Sequence, residues 1–290
     1  VSEAGLVGGG ELGPVPYLRS HPGAAATFGR RAERLLALAP GHAAGDYLAL
    51  LARVSAAQVV AAGRLGPLAW PAGAPGGPPL DAAGPWPAGW ARSLTLLLDG
   101  LRGEAAAPVR AALDRLAALD AAALEGRARR LLAGEVPADE VAGAPFLGAA
   151  LQLVFTAAAA GVPAEGVTRA EAGCPVCGCA PAVGIILGDD KLRYLTCGLC
   201  ATAWHQTRLQ CVLCRSAAQV SYLEVEGAAG PSKAEACQAC RAYLKLLYVE
   251  RDPLLEPLAD DVATLSLDLL VAERGLARLG RNLLLVTADG

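Results

Sequence analysis

The chain has 290 residues and a formal charge of −3, with 25 Lys and Arg set against 28 Asp and Glu. That length can bury a sizeable core and allows two domains, while the near-neutral charge excludes a general attraction to phosphate backbones or anionic lipid. The start, Val1-Ser2-Glu3-Ala4, has no basic cluster before an apolar run, so no secretory signal is expected and the reducing cytoplasm is the expected location.

Residues 1–26 are rich in Gly and Pro and read as a poorly ordered lead-in. From Thr27 a helical pattern follows, with Phe28, Leu35, Leu36 and Ala39 on one face. A second helix is expected from Asp46 to Arg64, Asp46 acting as N-cap and Leu48, Leu51, Val54, Val59 and Ala62 recurring close to the helical period. Between Gly66 and Gly89 seven prolines remove too many N–H groups for a helix, so an irregular crossing is expected, anchored by Trp70, Trp86 and Trp90 packing back onto the helices. Helices are then predicted over Trp90–Leu101, Ala107–Leu119, Leu124–Ala133 and Phe146–Gly161, with Pro137 to Glu140 beginning a further short one. Phe146–Val162 is apolar enough to suggest a membrane span, but Gly148, Gln152 and Gly161 favour a buried helix, and no span is expected. Nothing in 27–165 sets a nucleophile beside a base or offers a phosphate loop, so no enzyme is expected and the helical domain, 27–170, would present surface.

All nine cysteines lie between Cys174 and Cys240, eight of them in C-x-x-C pairs. Two sulfurs separated by two residues sit at opposite ends of one tight turn and can face a single ion, and two such turns complete a tetrahedron. Cys177 and Cys197 are separated by 19 residues and Cys214 and Cys237 by 22, near ribbon spacing, so the turns pair in chain order. Cys174, Cys177, Cys197 and Cys200 are the predicted ligands of one metal site in a module spanning 171–210. Cys211, Cys214, Cys237 and Cys240 are those of a second in 211–251. Soft thiolate donors suit zinc or a single iron.

In the first module Ala182–Leu187 and Leu192–Thr196 read as strands around a Gly188–Lys191 turn, and Trp204-His205 as part of another strand. In the second, Gln219–Glu226 and Ala242–Glu250 read as strands and Gly227–Ser232 as a loop. Gly178 can take a positive φ after its turn, whereas Ala201, Arg215 and Arg241 occupy that place after the others. Arg208, Arg215, Arg241 and Lys245 are candidates to offset the thiolate charge. His205 and Cys179 are surplus to two filled tetrahedra and are expected to pack.

After a turn at Asp252–Pro257, one helix over Leu258–Leu279 is predicted, with Leu258, Val262, Leu265, Leu269 and Ala272 on its inner face, and the segment 252–290 would pack on the helical domain. The fold class is therefore α+β: an N-terminal all-α domain, two tandem rubredoxin-like or zinc-ribbon four-cysteine modules, and a C-terminal helix. Two other functions are weighed. A nucleic-acid-binding ribbon would need a concentrated basic face, yet residues 174–251 carry eight Lys and Arg against six Asp and Glu. A thiol–disulfide oxidoreductase would need a βαβ setting that the C-x-x-C pairs lack.

Residues between and beyond the cysteines make the chain recognisable. Cys174-Pro175-Val176-Cys177-Gly178, Leu192-Arg193-Tyr194-Leu195, Trp204-His205 and Lys233-Ala234-Glu235-Ala236-Cys237 resemble the FdhE family. So do Ala259-Asp260-Asp261-Val262-Ala263-Thr264-Leu265 and Leu267-Asp268 and, more weakly toward the start, Gly45-Asp46-Tyr47-Leu48. The resemblance implies an accessory protein for assembly or activation of respiratory formate dehydrogenase. Such a protein would bind the catalytic subunit in the cytoplasm before export and carry iron in rubredoxin-like sites. It also brings Asp260, Asp261 and Asp268 forward as candidate partner-binding residues.

Overall fold

A computed structural model describes residues 15–170, 172–225 and 230–285. The expected lead-in up to residue 14, the end of the Gln219–Glu226 strand with most of the following loop (226–229), and residues 286–290 lie outside the described residues.

The first helix, α1 (Ala24–Leu38), packs along α2 (Gly45–Leu65). It begins three residues before Thr27: Gly23, at φ +83°, caps it, and Thr27 Oγ1 donates to the Gly23 carbonyl at 2.7 Å. Asp46 does not cap α2 either. It lies in the first turn, where the helix dipole favours an acid, while His42 Nδ1 accepts the Ala44 N–H at 3.0 Å. Gly45 opens the helix because a Cβ there would stand 2.6 Å from the Ala39 carbonyl oxygen.

The Pro/Gly crossing is irregular and its tryptophans turn inward. Trp86 and Trp90 are buried with ring centroids 5.0 Å apart, Trp70 meets Phe155 at 4.8 Å, and Arg129 stacks 3.8 Å from Trp86. Four more helices complete this part: α3 (Arg92–Leu101), α4 (Ala107–Ala117), α5 (Ala121–Ala133) and α6 (Ala144–Ala159). Asp120 caps α5 by accepting the Ala123 N–H at 2.8 Å, and Gly134, at φ +82°, ends it. The short helix expected at Pro137 is a run of turns, with the Glu140 carboxylate held by Arg127 and Arg130. Nearly all of α6 is buried. By length and composition one described helix, α2, is long and apolar enough to cross a bilayer, and half of that stretch is buried in this core.

The two four-cysteine modules share one sheet. Its strands are β1 (Pro181–Leu187), β2 (Leu192–Cys197), β3 (Ala203–His205), β4 (Val220–Leu223), β5 (Ser232–Cys237), β6 (Ala242–Tyr248) and β7 (Ala277–Arg278). They lie in the order β3-β2-β1-β6-β5-β4, with β7 beside β6. Each repeat is a hairpin whose second strand ends on a cysteine, followed by a turn and a third strand. The parallel pairing of β1 with β6 joins the repeats. β5 begins at Ser232, the end of the expected loop, and runs through residues assigned no strand: Ala234 and Ala236 have little strand propensity, but both are fully buried beside Leu267 and Val271.

Residues 15–20 are not a loose lead-in. They cover the open edge of β3, with Arg19 N–H on the Ala203 carbonyl at 3.0 Å, His205 N–H on the Tyr17 carbonyl at 2.7 Å and Tyr194 Oη–H on the Pro16 carbonyl at 2.9 Å. The single C-terminal helix is likewise corrected to two, α7 (Pro257–Ala263) and α8 (Leu265–Ala272). The helix breaks at Thr264 (φ −107°, ψ 29°), whose Oγ1 donates back to the Asp260 carbonyl at 2.7 Å. The break changes which side faces inward: Leu258 and Val262 stay buried, Leu269 and Ala272 are exposed, and Leu267, Asp268 and Val271 point in.

One hydrophobic core runs through both halves, from Leu51, Leu97 and Phe155 to Ile186, Leu195, Trp204 and Leu246. The C-terminal strand and tail tie them together. Leu283 O lies 2.7 Å from where a Cβ on Gly148 would sit, and Tyr47 Oη–H bonds the Leu284 carbonyl at 2.5 Å.

Candidate metal centres

The fold brings the eight paired cysteines into two groups, each with its four sulfurs within 4.8 Å of one another. In the first, Cys174 and Cys200 approach to 3.5 Å and Cys177 and Cys197 to 3.4 Å; in the second, Cys211–Cys240 and Cys214–Cys237 are each 3.6 Å apart. Disulfide sulfurs would lie about 2.05 Å apart, and all nine cysteines are free. A tetrahedron of thiolates about 2.3 Å from a central ion has edges of about 3.8 Å. The spacing and donor chemistry therefore fit one four-coordinate zinc or iron per group.

The turns share a backbone shape. Cys174 N–H bonds the Cys179 carbonyl at 2.7 Å, Cys197 N–H that of Thr202 at 2.9 Å and Cys211 N–H that of Ser216 at 2.9 Å. The residue after each second cysteine has positive φ: Gly178 (82°), Ala201 (58°), Arg215 (62°) and Arg241 (58°). Glycine is thus dispensable, and three side-chain-bearing residues accept the left-handed conformation. One result is that Cys197 Sγ accepts the N–H groups of Leu199 (3.4 Å) and Cys200 (3.5 Å).

Burial pushes the Cys174 and Cys177 thiols well up. At Cys197 burial acts the same way, but hydrogen bonds from Cys174, Cys177 and Cys200 outweigh it and hold this thiol well below its ordinary value. In the second group burial is likewise outweighed at Cys237, which falls to about 7 through N–H bonds from Cys240 and Ala239 and the Cys214 thiol, while burial lifts Cys240 to about 12. Because thiolates are the ligating form, ion binding at either group releases protons.

The two centres differ in exposure. All four cysteines of the first are buried, whereas in the second Cys214 is exposed and Cys240 half-buried. The first is also clamped by the helical half: Gln152 Nε2 donates to the Gly198 carbonyl at 2.7 Å, Leu80 N–H to the Val176 carbonyl at 2.9 Å and Ala82 N–H to the Cys177 carbonyl at 3.0 Å. The second centre lies in the repeat whose strands β5 and β4 form the far side of the sheet.

The cations expected around the sulfurs are mostly committed elsewhere. Lys245 is fully buried and its Nζ reaches Asp268 Oδ2 (2.5 Å), Asp261 Oδ1 (3.0 Å) and the Asp261 and Thr264 carbonyls (2.9 and 3.2 Å). Arg241 donates to the carbonyls of Arg274 (2.6 Å) and Gly275 (3.2 Å), and Arg208 to that of Lys191. Arg193, not among the cations expected at the sulfurs, also bridges the two repeats. Fully buried, it pairs with Glu235 and donates to the Thr207 (2.5 Å) and Gln210 (3.3 Å) carbonyls of the segment joining the repeats. The Leu-Arg-Tyr-Leu motif marked it, but the strand pattern gave no sign that Glu235 would be its buried partner.

His205 is outside both groups and stacks edge-on with Tyr194 at 5.5 Å; Cys179 is also outside. Asp260, Asp261 and Asp268 do not form an open partner surface, because all three are buried and paired within the chain. Asp260 binds Arg34 (2.6 Å), Asp261 both Lys245 and Arg278 (2.6 Å), and Asp268 Lys245, Arg278 (3.3 Å) and Tyr243 Oη–H (2.8 Å). Their charge joins α7 and α8 to α1, β6 and β7.

A helical domain fused to a sheet with two four-cysteine centres defines a class of two-centre, metal-ribbon proteins. The chain belongs to the FdhE family: profiles described as "FdhE, N-terminal", "FdhE, central domain" and "FdhE, C-terminal domain" match residues 15–171, 173–208 and 209–285. It is 38% identical to "Protein FdhE homolog" of Pseudomonas putida over 95% of this chain and 92% of that one. It is 36% identical to "Protein FdhE" of Escherichia coli K12 over 91% and 89%. The crystal structure of the FdhE protein from Pseudomonas aeruginosa superposes with a TM-score of 0.84 at 36% identity, covering 94% of this chain and all of that one.

Proposed function

We propose that this protein is a non-enzymatic, metal-binding accessory factor for assembly or activation of a respiratory formate dehydrogenase. It binds the catalytic subunit in the cytoplasm before export. The observation that carries this reading is the pair of four-cysteine groups with tetrahedral sulfur spacing inside an FdhE-family chain. Cys174, Cys177, Cys197 and Cys200 hold one ion and Cys211, Cys214, Cys237 and Cys240 the other, iron by family resemblance or zinc by donor chemistry. Each ion ties two turns together, and the first lies where the sheet is clamped to the helical half. The metal supplies the cross-link, and iron would add a one-electron change that zinc lacks.

A protein partner is favoured over nucleic acid by where the ribbon's cations are used. Arg193 and Lys245 are buried, Lys191 pairs with Glu250 and Lys233 with Glu224, and Arg241 is on carbonyls. Metal analysis with absorption spectra on untagged protein should give two ions per chain, and affinity capture should recover the dehydrogenase catalytic subunit. Metal-free protein, or unchanged formate oxidation after deletion of the gene, would refute the reading.

A further inference from the structure

The uncovered face of the first repeat forms a cleft of about 650 Å³, a volume within the range of binding pockets, about 300–1,000 Å³. Cross-strand pairs share a face, so the registers Val183↔Thr196, Thr196↔Ala203 and Ile185↔Tyr194 put Ile185, Thr196 and Ala203 on one side of the sheet. α7 packs on β1 and β6, and beside it these residues floor the cleft. α1 supplies one wall through Thr27, Arg30 and Ala37, and the loop before α7 another through Val249, Leu254 and Leu255.

Charge and apolar exposure at the rim point to an occupant. Arg31 is taken by Glu256, and Arg34 by Asp252 and Asp260. Arg19 and Arg30 are exposed with no ion pair among the described residues, against Glu33 alone. Leu254, 77% exposed on the same rim, is an apolar contact without cover.

We infer that this cleft seats an apolar segment of the partner polypeptide flanked by acidic residues. The inference rests on the reading that the partner is the dehydrogenase catalytic subunit. The cleft adjoins the first four-cysteine group, since Thr196 and Ala201 in its lining are the neighbours of Cys197 and Cys200.

The test titrates the metal-loaded full chain with that subunit. Arg30→Glu and Leu254→Glu, both at exposed positions, should each weaken binding at least about tenfold, and wild-type binding should fall as salt rises. Val60→Glu, an exposed apolar residue of α2 outside the cleft, should bind as wild type. If wild type binds and both cleft variants bind within about twofold of it, this inference fails and the accessory function stands. If wild type fails to bind, the accessory reading falls and this inference with it. Self-association of the wild type that Arg30→Glu abolishes would assign the cleft to a second copy and overturn the inference.

Discussion

Lys245→Met removes the ammonium from a buried cluster whose four charges sum to zero. Lys245 and Arg278 face Asp261 and Asp268, and the side chains of Lys245 and Asp261 are fully buried. Met keeps the volume, but the cluster becomes net negative, and the Asp261 and Thr264 carbonyls lose their donor at 2.9 and 3.2 Å. Breaking a buried pair from one side costs about 3–5 kcal/mol because the remaining charge stays buried. For a chain of this size each kcal/mol lowers Tm by about 2 °C, so thermal melts of the metal-loaded protein should fall by about 6–10 °C. Adding Asp268→Leu restores neutrality, leaving Arg278 on Asp261, and should recover part of the loss. A fall below about 1 kcal/mol, the range of exposed pairs, or no recovery in the double variant, would refute the view that this cluster is a balanced charge set.

The two centres should respond differently to loss of a ligand. Cys177→Ser disrupts a centre sealed in the common core and should leave little soluble protein, since structural sites contribute about 10–16 kcal/mol against total stabilities of about 5–15 kcal/mol. Cys214→Ser, at an exposed ligand, should yield folded protein with one ion fewer by metal analysis; equal damage from both would contradict the asymmetry. Acid should act through Asp261. Burial raises its pKa, but Lys245 and Arg278 outweigh that and hold it below the usual carboxylate range. Its contribution is therefore present above the unfolded value of about 3.9 and is lost as pH falls through the folded one. Asp260, raised by burial despite Arg34, has the opposite sign. Stability measured below about pH 4 should fall less steeply in Asp261→Asn than in wild type. Gly148→Ala places a Cβ 2.7 Å from the Leu283 carbonyl oxygen and should cost about 1–3 kcal/mol by overpacking, read as a lowered melting midpoint.

The clustering of the cysteines was legible because it is local. A C-x-x-C pair carries its geometry in four residues, and the helices announced themselves by apolar period, so the eight cysteines, the helical half and the inward-turning tryptophans could be read from the chain. β5 was not legible, because Ala234 and Ala236 are poor strand formers that gain by burial under α8, and Glu235, which reads as solvent-facing, is buried on Arg193. The parallel β1–β6 pairing that merges the two repeats joins residues about sixty positions apart, and no periodicity reports such a contact. The same holds for Asp260, Asp261 and Asp268. Acids near helix starts suggest surface, and only their cationic partners from α1, β6 and β7 turn them inward. Short-range geometry is written in neighbouring residues; the cost of burying a charge depends on which distant segment arrives to neutralise it.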